Sequence, residues 1–312
     1  MRIIEEVYII GSGNLAISCA SYIKKQGVPL YFYDTSETFS GLLERRAKKE
    51  GIPYFRKRAK DIFVRLEEVE KRILLVSAIN EYLVPIKVLE KENITAVNLH
   101  QALLPEHPGR NAEAWAIFEQ DTVSGITWHF MEARADRGAV LIQKEIPLDE
   151  QMTSIGLFRK QIQKAFEAFQ EIFGPLMEGT LEGTPQKEGR KSAYHFKKDV
   201  PNDGWLDLSW SPKKISAFVR AMDYGGLNVW EPPKVQLNEG CFSFREYRLF
   251  EHKDLPEKED LSVICESMEG TKPKEWRIVI QKGTLQLQII VKRWRKRHGK
   301  INEYFTRIKA GN

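Results

Sequence analysis

The sequence predicts an α/β domain on a doubly wound, mostly parallel sheet, followed by a smaller, mostly β domain. Three observations carry that expectation. The first third alternates short apolar runs rich in β-branched residues with helix-length amphipathic stretches, the pattern of strand–helix–strand units. A length of 312 residues suits about two domains. Finally, residues 179–189 carry three glycines and a proline without periodicity, separating a long helical pattern from a strand-rich remainder.

Taken in order, residues 6–10 form a buried strand that Gly11-Ser12-Gly13 ends, and 15–25 a helix with Gly27 as its stop. A second strand is expected at 29–33 and a second helix at 40–50, ending at Gly51. Residues 73–76 and 96–99 read as further buried strands, joined by a short helix at 81–89. Two more strands follow at 122–131 and 139–146. A long helix then starts near Thr153, its Phe158, Ile162, Ala165, Phe166, Phe169 and Phe173 at helical spacing forming a core stripe. The expected domains are residues 1–180 and 197–312, with a linker at 181–196. The second carries a helix at 212–222 and strands at 235–237, 242–249, 276–280 and 285–291.

Composition narrows the function classes. Hydrophobic residues at 42% exclude wholesale disorder. No run approaches the ~18 apolar residues of a membrane span, and the first residues lack the apolar core of a secretory signal. Cys19, Cys241 and Cys265 lie far apart, offering neither a disulfide framework nor a metal-binding pair. A cytoplasmic protein without membrane contact or metal is therefore expected. The net charge of +5 is uneven: from Pro185 onward 25 Lys+Arg face 17 Asp+Glu, and Lys292-Arg293-Trp294-Arg295-Lys296-Arg297 concentrates the excess. Such a run reads first as a solvated face and second as a polyanion contact.

Gly11-Ser12-Gly13-Asn14-Leu15-Ala16 fits G-x-G-x-x-A between a strand and a helix, with Asp34 at the end of the next strand. That is the Rossmann-like pattern of a nicotinamide-dependent oxidoreductase. Its physical content is narrower. A glycine turn brings backbone N–H groups to an anion at a helix N-terminus, and any phosphate serves.

A second constellation points elsewhere. Asn98 and His100 end a buried strand, where open α/β sheets place ligands, and alternation puts both on one side. An amide and an imidazole there can hold an oxyanion and move a proton, and the turn Asp136-Arg137-Gly138 can bring up a carboxylate. The plain alternative is a strand-end histidine satisfying a loop carbonyl and an ordinary Asp-x-Gly turn. By residue type and spacing the two are balanced.

The linked motifs shift that balance. Asn98, His100, Leu103-Leu104-Pro105 and Gly109 are followed by Trp115-Ala116-Ile117, then Ser124-Gly125-Ile126-Thr127-Trp128-His129-Phe130-Met131, then Asp136-Arg137-Gly138. In order and spacing this resembles the 10-formyltetrahydrofolate-dependent formyltransferase family over roughly residues 70–180. The sequence departs from the family pattern at Gln101-Ala102, where a Pro-Ser is usual, and at Arg137, where the family has Thr. The resemblance implies that Asn98, His100 and Asp136 are catalytic and that no metal is needed. It further implies that Tyr82, Leu83, Val84, Leu104, Met131, Glu132 and Gly138 line the site of the co-substrate 10-formyltetrahydrofolate, and that the second domain is OB-like.

For the acceptor, the resemblance implies a primary amine, here a nucleotide-linked aminosugar, with Gly11, Ser12, Gly13 and Asn14 as a candidate phosphate turn. A methionyl-tRNA formyltransferase ranks behind, because residues 33–51 lack the basic inserted loop of those enzymes. A free-standing relative of peptide-synthetase formylation domains and, in another class, an NAD-dependent oxidoreductase are further alternatives. A homodimer stays open.

Overall fold

A computed structural model of the chain describes residues 3–36, 41–187, 193–237, 240–251, 261–267 and 275–293. Contacts divide it into two units, Met1–Pro201 with Arg220–Asn228, and Asn202–Val219 with Val229–Asn312.

The first unit contains β1 (Glu6–Gly11), α1 (Gly13–Lys25), β2 (Leu30–Asp34), α2 (Leu42–Glu50), β3 (Tyr54–Arg56), α3 (Ala59–Glu68), β4 (Ile73–Ala78), α4 (Ile86–Leu89), β5 (Ile94–His100), α5 (Ala112–Phe118), β6 (Val123–Phe130), β7 (Val140–Pro147) and α6 (Ser154–Glu178). Its sheet has the order β3-β2-β1-β4-β5-β6-β7. The first five strands run parallel, β6 runs antiparallel to β5, and β7 antiparallel to β6. Strand order reverses at β1, so the crevice beyond the carboxyl ends of β1 and β4 is the switch point.

The runs at β1 and β4 are mostly apolar because helices cover both faces, and all twelve of their residues are buried, Glu6 and Ser77 among them. On one face Ala165, Phe169 and Phe173 of α6 pack with Ile17 and Ile23 of α1 and with Trp128, whose indole N–H donates to the Ala165 carbonyl at 2.9 Å. Burying each phenylalanine contributes about 2 kcal/mol. Ile62, Phe63 and Leu66 of α3 cover the other face. Helix α6 starts where Thr153 accepts the Gly156 N–H at 3.2 Å and ends at Gly179, whose φ of 65° a side chain would resist.

One expectation needs correction. The helix expected at 81–89 is only α4, because Pro85 disfavours helical geometry at Val84 and itself stands at ψ 143°. Residues 80–85 are therefore a loop. Elements β3, α3 and α5 were not anticipated.

The stretch 181–187 adds an antiparallel bridge between Thr184 and Val140, and His195 bridges to Gly109. Residues 188–192, within the expected linker, lie outside the described residues.

In the second unit, β8 (Trp205–Leu206), β9 (Lys234–Leu237), β10 (Gly240–Glu251), β11 (Leu261–Ser267), β12 (Glu275–Lys282) and β13 (Leu285–Arg293) form one sheet in the order β11-β12-β13-β10-β9-β8. Phe242, Phe244, Ile278, Ile280, Leu287 and Ile289 are among its buried residues. Helix α7 (Pro212–Ala221) begins in this unit and supplies the buried Phe218. Among the described residues no ladder joins the outer strands β8 and β11. The basic run continues past Arg293 outside the described residues. No helix among the described residues is long and apolar enough to cross a membrane.

Candidate active site

Strand β5 delivers Asn98 and His100 to the carboxyl edge of the sheet, one strand from the switch point. Its antiparallel neighbour β6 sets His129 directly opposite Asn98 and Thr127 opposite His100. The β6–β7 ladder shifts register between Trp128 and His129, and such a bulge re-aims a side chain. His129 Nδ1 bonds the Phe130 carbonyl at 2.7 Å, so it carries the proton and donates. Its Nε2 therefore accepts from Asn98 Nδ2 at 3.2 Å, which fixes the orientation of the amide. Burial holds the His129 imidazole below the usual histidine value, in the neutral form that this hydrogen bond needs.

His100 is 5% exposed. Its Nε2 donates to the His107 carbonyl at 2.9 Å, and its Nδ1 lies 3.6 Å from Asp136 Oδ1. The same carboxylate oxygen is 3.8 Å from His129 Nε2. Asp136 Oδ2 accepts the Gly109 N–H at 2.9 Å. Asp136 itself stands at φ 55°, uncommon for a residue with a side chain. Gln186 stabilises that turn, its Nε2 donating to the carbonyls of Asp136 and Gly138, both at 2.9 Å.

Asn98, His100 and Asp136 thus converge as the sequence suggested, and the structure adds His129 and Gln186. His129 stood inside a recognisable motif, but its role depends on strand register. The altered positions Gln101 and Ala102 are anchored through their backbone. Gln161 Nε2 donates to the Gln101 carbonyl at 2.6 Å, and the Thr127 hydroxyl to the Ala102 carbonyl at 2.7 Å.

The candidate pocket residues divide. Tyr82 and Leu83 are 41% and 75% exposed, far from core burial, on the loop that follows β4. Val84 and Met131 pack against the same apolar cluster, and the Met131 N–H donates to the Ala96 carbonyl at 2.8 Å. Leu104 is buried, held by Thr127 through its N–H and by Gln143 through its carbonyl. Glu132 is exposed and Gly138 buried on the segment between β6 and β7.

The glycine turn is less open to an anion than its motif suggests. Ser12 spends its N–H on the Ala78 carbonyl and its hydroxyl on the Ile79 carbonyl, leaving the exposed Gly13 and Asn14. Asp34, placed as a ribose ligand by the dinucleotide reading, is 3% exposed and accepts from the Tyr54 hydroxyl at 2.6 Å and the Ser36 N–H at 2.9 Å.

Residues 45–171 match the family model described as formyl transferase. Over 149 residues the chain is 32% identical to the GDP-perosamine N-formyltransferase of Brucella melitensis biotype 1, covering 48% of this chain and 56% of that protein. A methionyl-tRNA formyltransferase of Levilactobacillus brevis is 31% identical over 155 residues, covering 50% of this chain and 48% of that one. The matches thus span about half the length of these curated relatives. An N-formyltransferase from Helicobacter canadensis, solved with folinic acid and dTDP-3-aminofucose, superposes with TM-score 0.70 at 17% identity. That superposition covers 93% of this chain and 100% of the other, and the likeness is one of fold.

Proposed function

We propose, from the match of residues 45–171 to the formyl transferase family model, that this chain transfers a formyl group from 10-formyltetrahydrofolate to the primary amine of a nucleotide-linked aminosugar. The observation that carries the proposal is the convergence of Asn98, His129, His100 and Asp136 at the carboxyl ends of the strands. It fits the chemistry. When bound, the folate supplies a formyl carbon whose oxygen gains negative charge as an amine adds to it.

Asn98 has two amide N–H groups. One is given to His129, which aims the other outward as a fixed donor for that oxygen. His100 keeps its N–H on the His107 carbonyl, so a proton it takes up goes to Nδ1, 3.6 Å from Asp136 Oδ1. That couple can take the proton the attacking amine sheds. The exposed Tyr82 and Leu83, with Val84, Leu104, Met131, Glu132 and Gly138, are the surfaces proposed for the pterin.

The acceptor class draws on the GDP-perosamine relative. The connection between Asp34 and Leu42 is only residues 35–41, which leaves no room for a tRNA-probing insert. Asp34, already engaged by Tyr54 and Ser36, disfavours the nicotinamide alternative. Gly13 and Asn14 are the part of the glycine turn proposed to meet a phosphate.

The test is to incubate the protein with 10-formyltetrahydrofolate and a panel of GDP-, dTDP- and UDP-linked aminosugars. Mass spectrometry should find one added formyl group, dependent on the folate. Formylation of methionyl-tRNA alone, or a thermal shift with NADH and none with folate, would overturn the reading.

His129 gives a pH prediction. Its folded pKa lies below the ordinary ~6.5, so the unfolded chain binds more protons as pH falls below that value. The stability contributed by the neutral ring is therefore full above ~6.5 and declines as pH falls toward the folded pKa. Turnover is expected to decline in the same direction, because a protonated Nε2 cannot accept from Asn98. His129→Gln retains an acceptor oxygen and should keep more activity than His129→Ala. It should also flatten the acid limb of the pH–rate profile, and an unchanged limb would remove His129 from this role.

A further inference from the structure

Behind the active-site loop lies a second cluster with unspent ligand chemistry. His107 and His195 are 3% and 7% exposed. His107 Nδ1 and His195 Nε2 are both buried with no hydrogen-bond partner. Buried polar atoms are nearly always paired, so two unpaired ones on neighbouring rings call for an explanation. Together with the Glu119 carboxylate, their donor atoms all lie within 4.8 Å of one another.

The surroundings suit coordination. Asp121 accepts from His107 Nε2 at 2.6 Å. A carboxylate has no proton to give, so Nε2 carries it and the neutral ring's lone pair sits on Nδ1. That is the carboxylate–histidine pairing that orients metal-bound imidazoles. The His195 ring is held flat against Trp115, with centroids 3.9 Å apart and planes 5° from parallel.

We propose that His107, His195 and Glu119 bind one divalent transition cation of the zinc class. Two imidazoles and one carboxylate are a common zinc donor set, whereas magnesium and calcium favour oxygen. Zinc–nitrogen bonds of ~2.0–2.1 Å place tetrahedral donors about 3.3 Å apart, so donors within 4.8 Å of one another need close by no more than about 1.5 Å on binding. Water would complete the shell.

The cation would tie two segments that serve the active site. The His107 carbonyl holds His100, the next residue but one, Gly109, holds Asp136, and the His195 carbonyl accepts the Arg110 N–H at 2.8 Å. The cluster is independent of the acceptor and of the reaction proposed above, so it is tested without substrate.

The full chain is dialysed against a chelator, then titrated with Zn²⁺ and separately with Co²⁺. One equivalent should bind, raise Tm, and with cobalt give the visible absorption of a four-coordinate site. Glu119→Gln, at a partly exposed position that should tolerate the change, and His195→Gln should each weaken binding by about 10²-fold or more. A folded, metal-free protein that takes up no stoichiometric ion would overturn the proposal, because a bridging water then accounts for the two nitrogens. Binding equally tight in both variants would overturn it too, since the ion then sits elsewhere.

Discussion

Replacing Asn98 by Ala is expected to lower kcat by about 10²–10³-fold, the usual cost of removing one oxyanion donor. KM for the folate should change far less, because the amide is proposed to act on charge that develops only after the amine adds. Asn98 sits on the central strand β5 with its side chain partly buried, and the truncation leaves His129 Nε2 without its donor. That orphaned acceptor should cost about 1–3 kcal/mol of stability. Thermal melts therefore belong beside the kinetics: a folded Asn98→Ala protein with slow turnover supports the assignment. Asn98→Asp is the sharper control, because it keeps the shape yet puts a negative group where an oxyanion is to form. Near-normal turnover in either folded variant would remove Asn98 from the chemistry.

How legible this site was differs residue by residue. Asn98, His100 and Asp136 stood out because β5 is a clean apolar run with polar residues at its carboxyl end. The sequence also carries several spaced motifs around them. His129 lies in one of those motifs, but its contact with Asn98 depends on β5–β6 register and on a bulge that no local pattern announces. Gln186, 50 positions beyond Asp136, gave no signal at all. The pairing of His107 with His195 is equally invisible, since neither lies near the other in sequence or in any metal-ligand spacing.

The fold divides the same way. Strands β1 and β4 were readable because burial on both faces makes Val7–Ile10 and Ile73–Val76 unbroken apolar runs. Helix α3 was missed because Ile62, Phe63 and Leu66 are its only fully buried anchors among mostly charged neighbours, and β3 spans just three residues. Tertiary pairing rather than local propensity makes β3 a strand. At 81–89 the error was local: apolar spacing outweighed Pro85, and the residues before it became an exposed loop at the site instead of a helix. A proline at the midpoint of a short periodic stretch disfavours helix in the residues before it.

The loss expected at Gly138 follows from space rather than from chemistry. A Cβ built there would lie 1.8 Å from the Phe130 carbonyl oxygen and 2.8 Å from its carbon, so Gly138→Ala forces backbone apart. Neither side yields easily. The Phe130 carbonyl also accepts from His129 Nδ1, while the Gly138 carbonyl is held by Gln186 together with that of Asp136. Relief of the clash must therefore move the Asp136 turn, the His129 ring or both. A displacement of about 1 Å at a catalytic group can cost about 10²-fold in rate, and overpacking adds about 1–3 kcal/mol of destabilisation. Gly138→Ala should accordingly lose activity by at least that factor while Tm falls. Asp136→Asn, which keeps the turn's backbone, should lose activity with little change in Tm. If Gly138→Ala turns over normally, the turn carrying Asp136 is more yielding than its packing indicates, and the carboxylate's position cannot be what sets the rate.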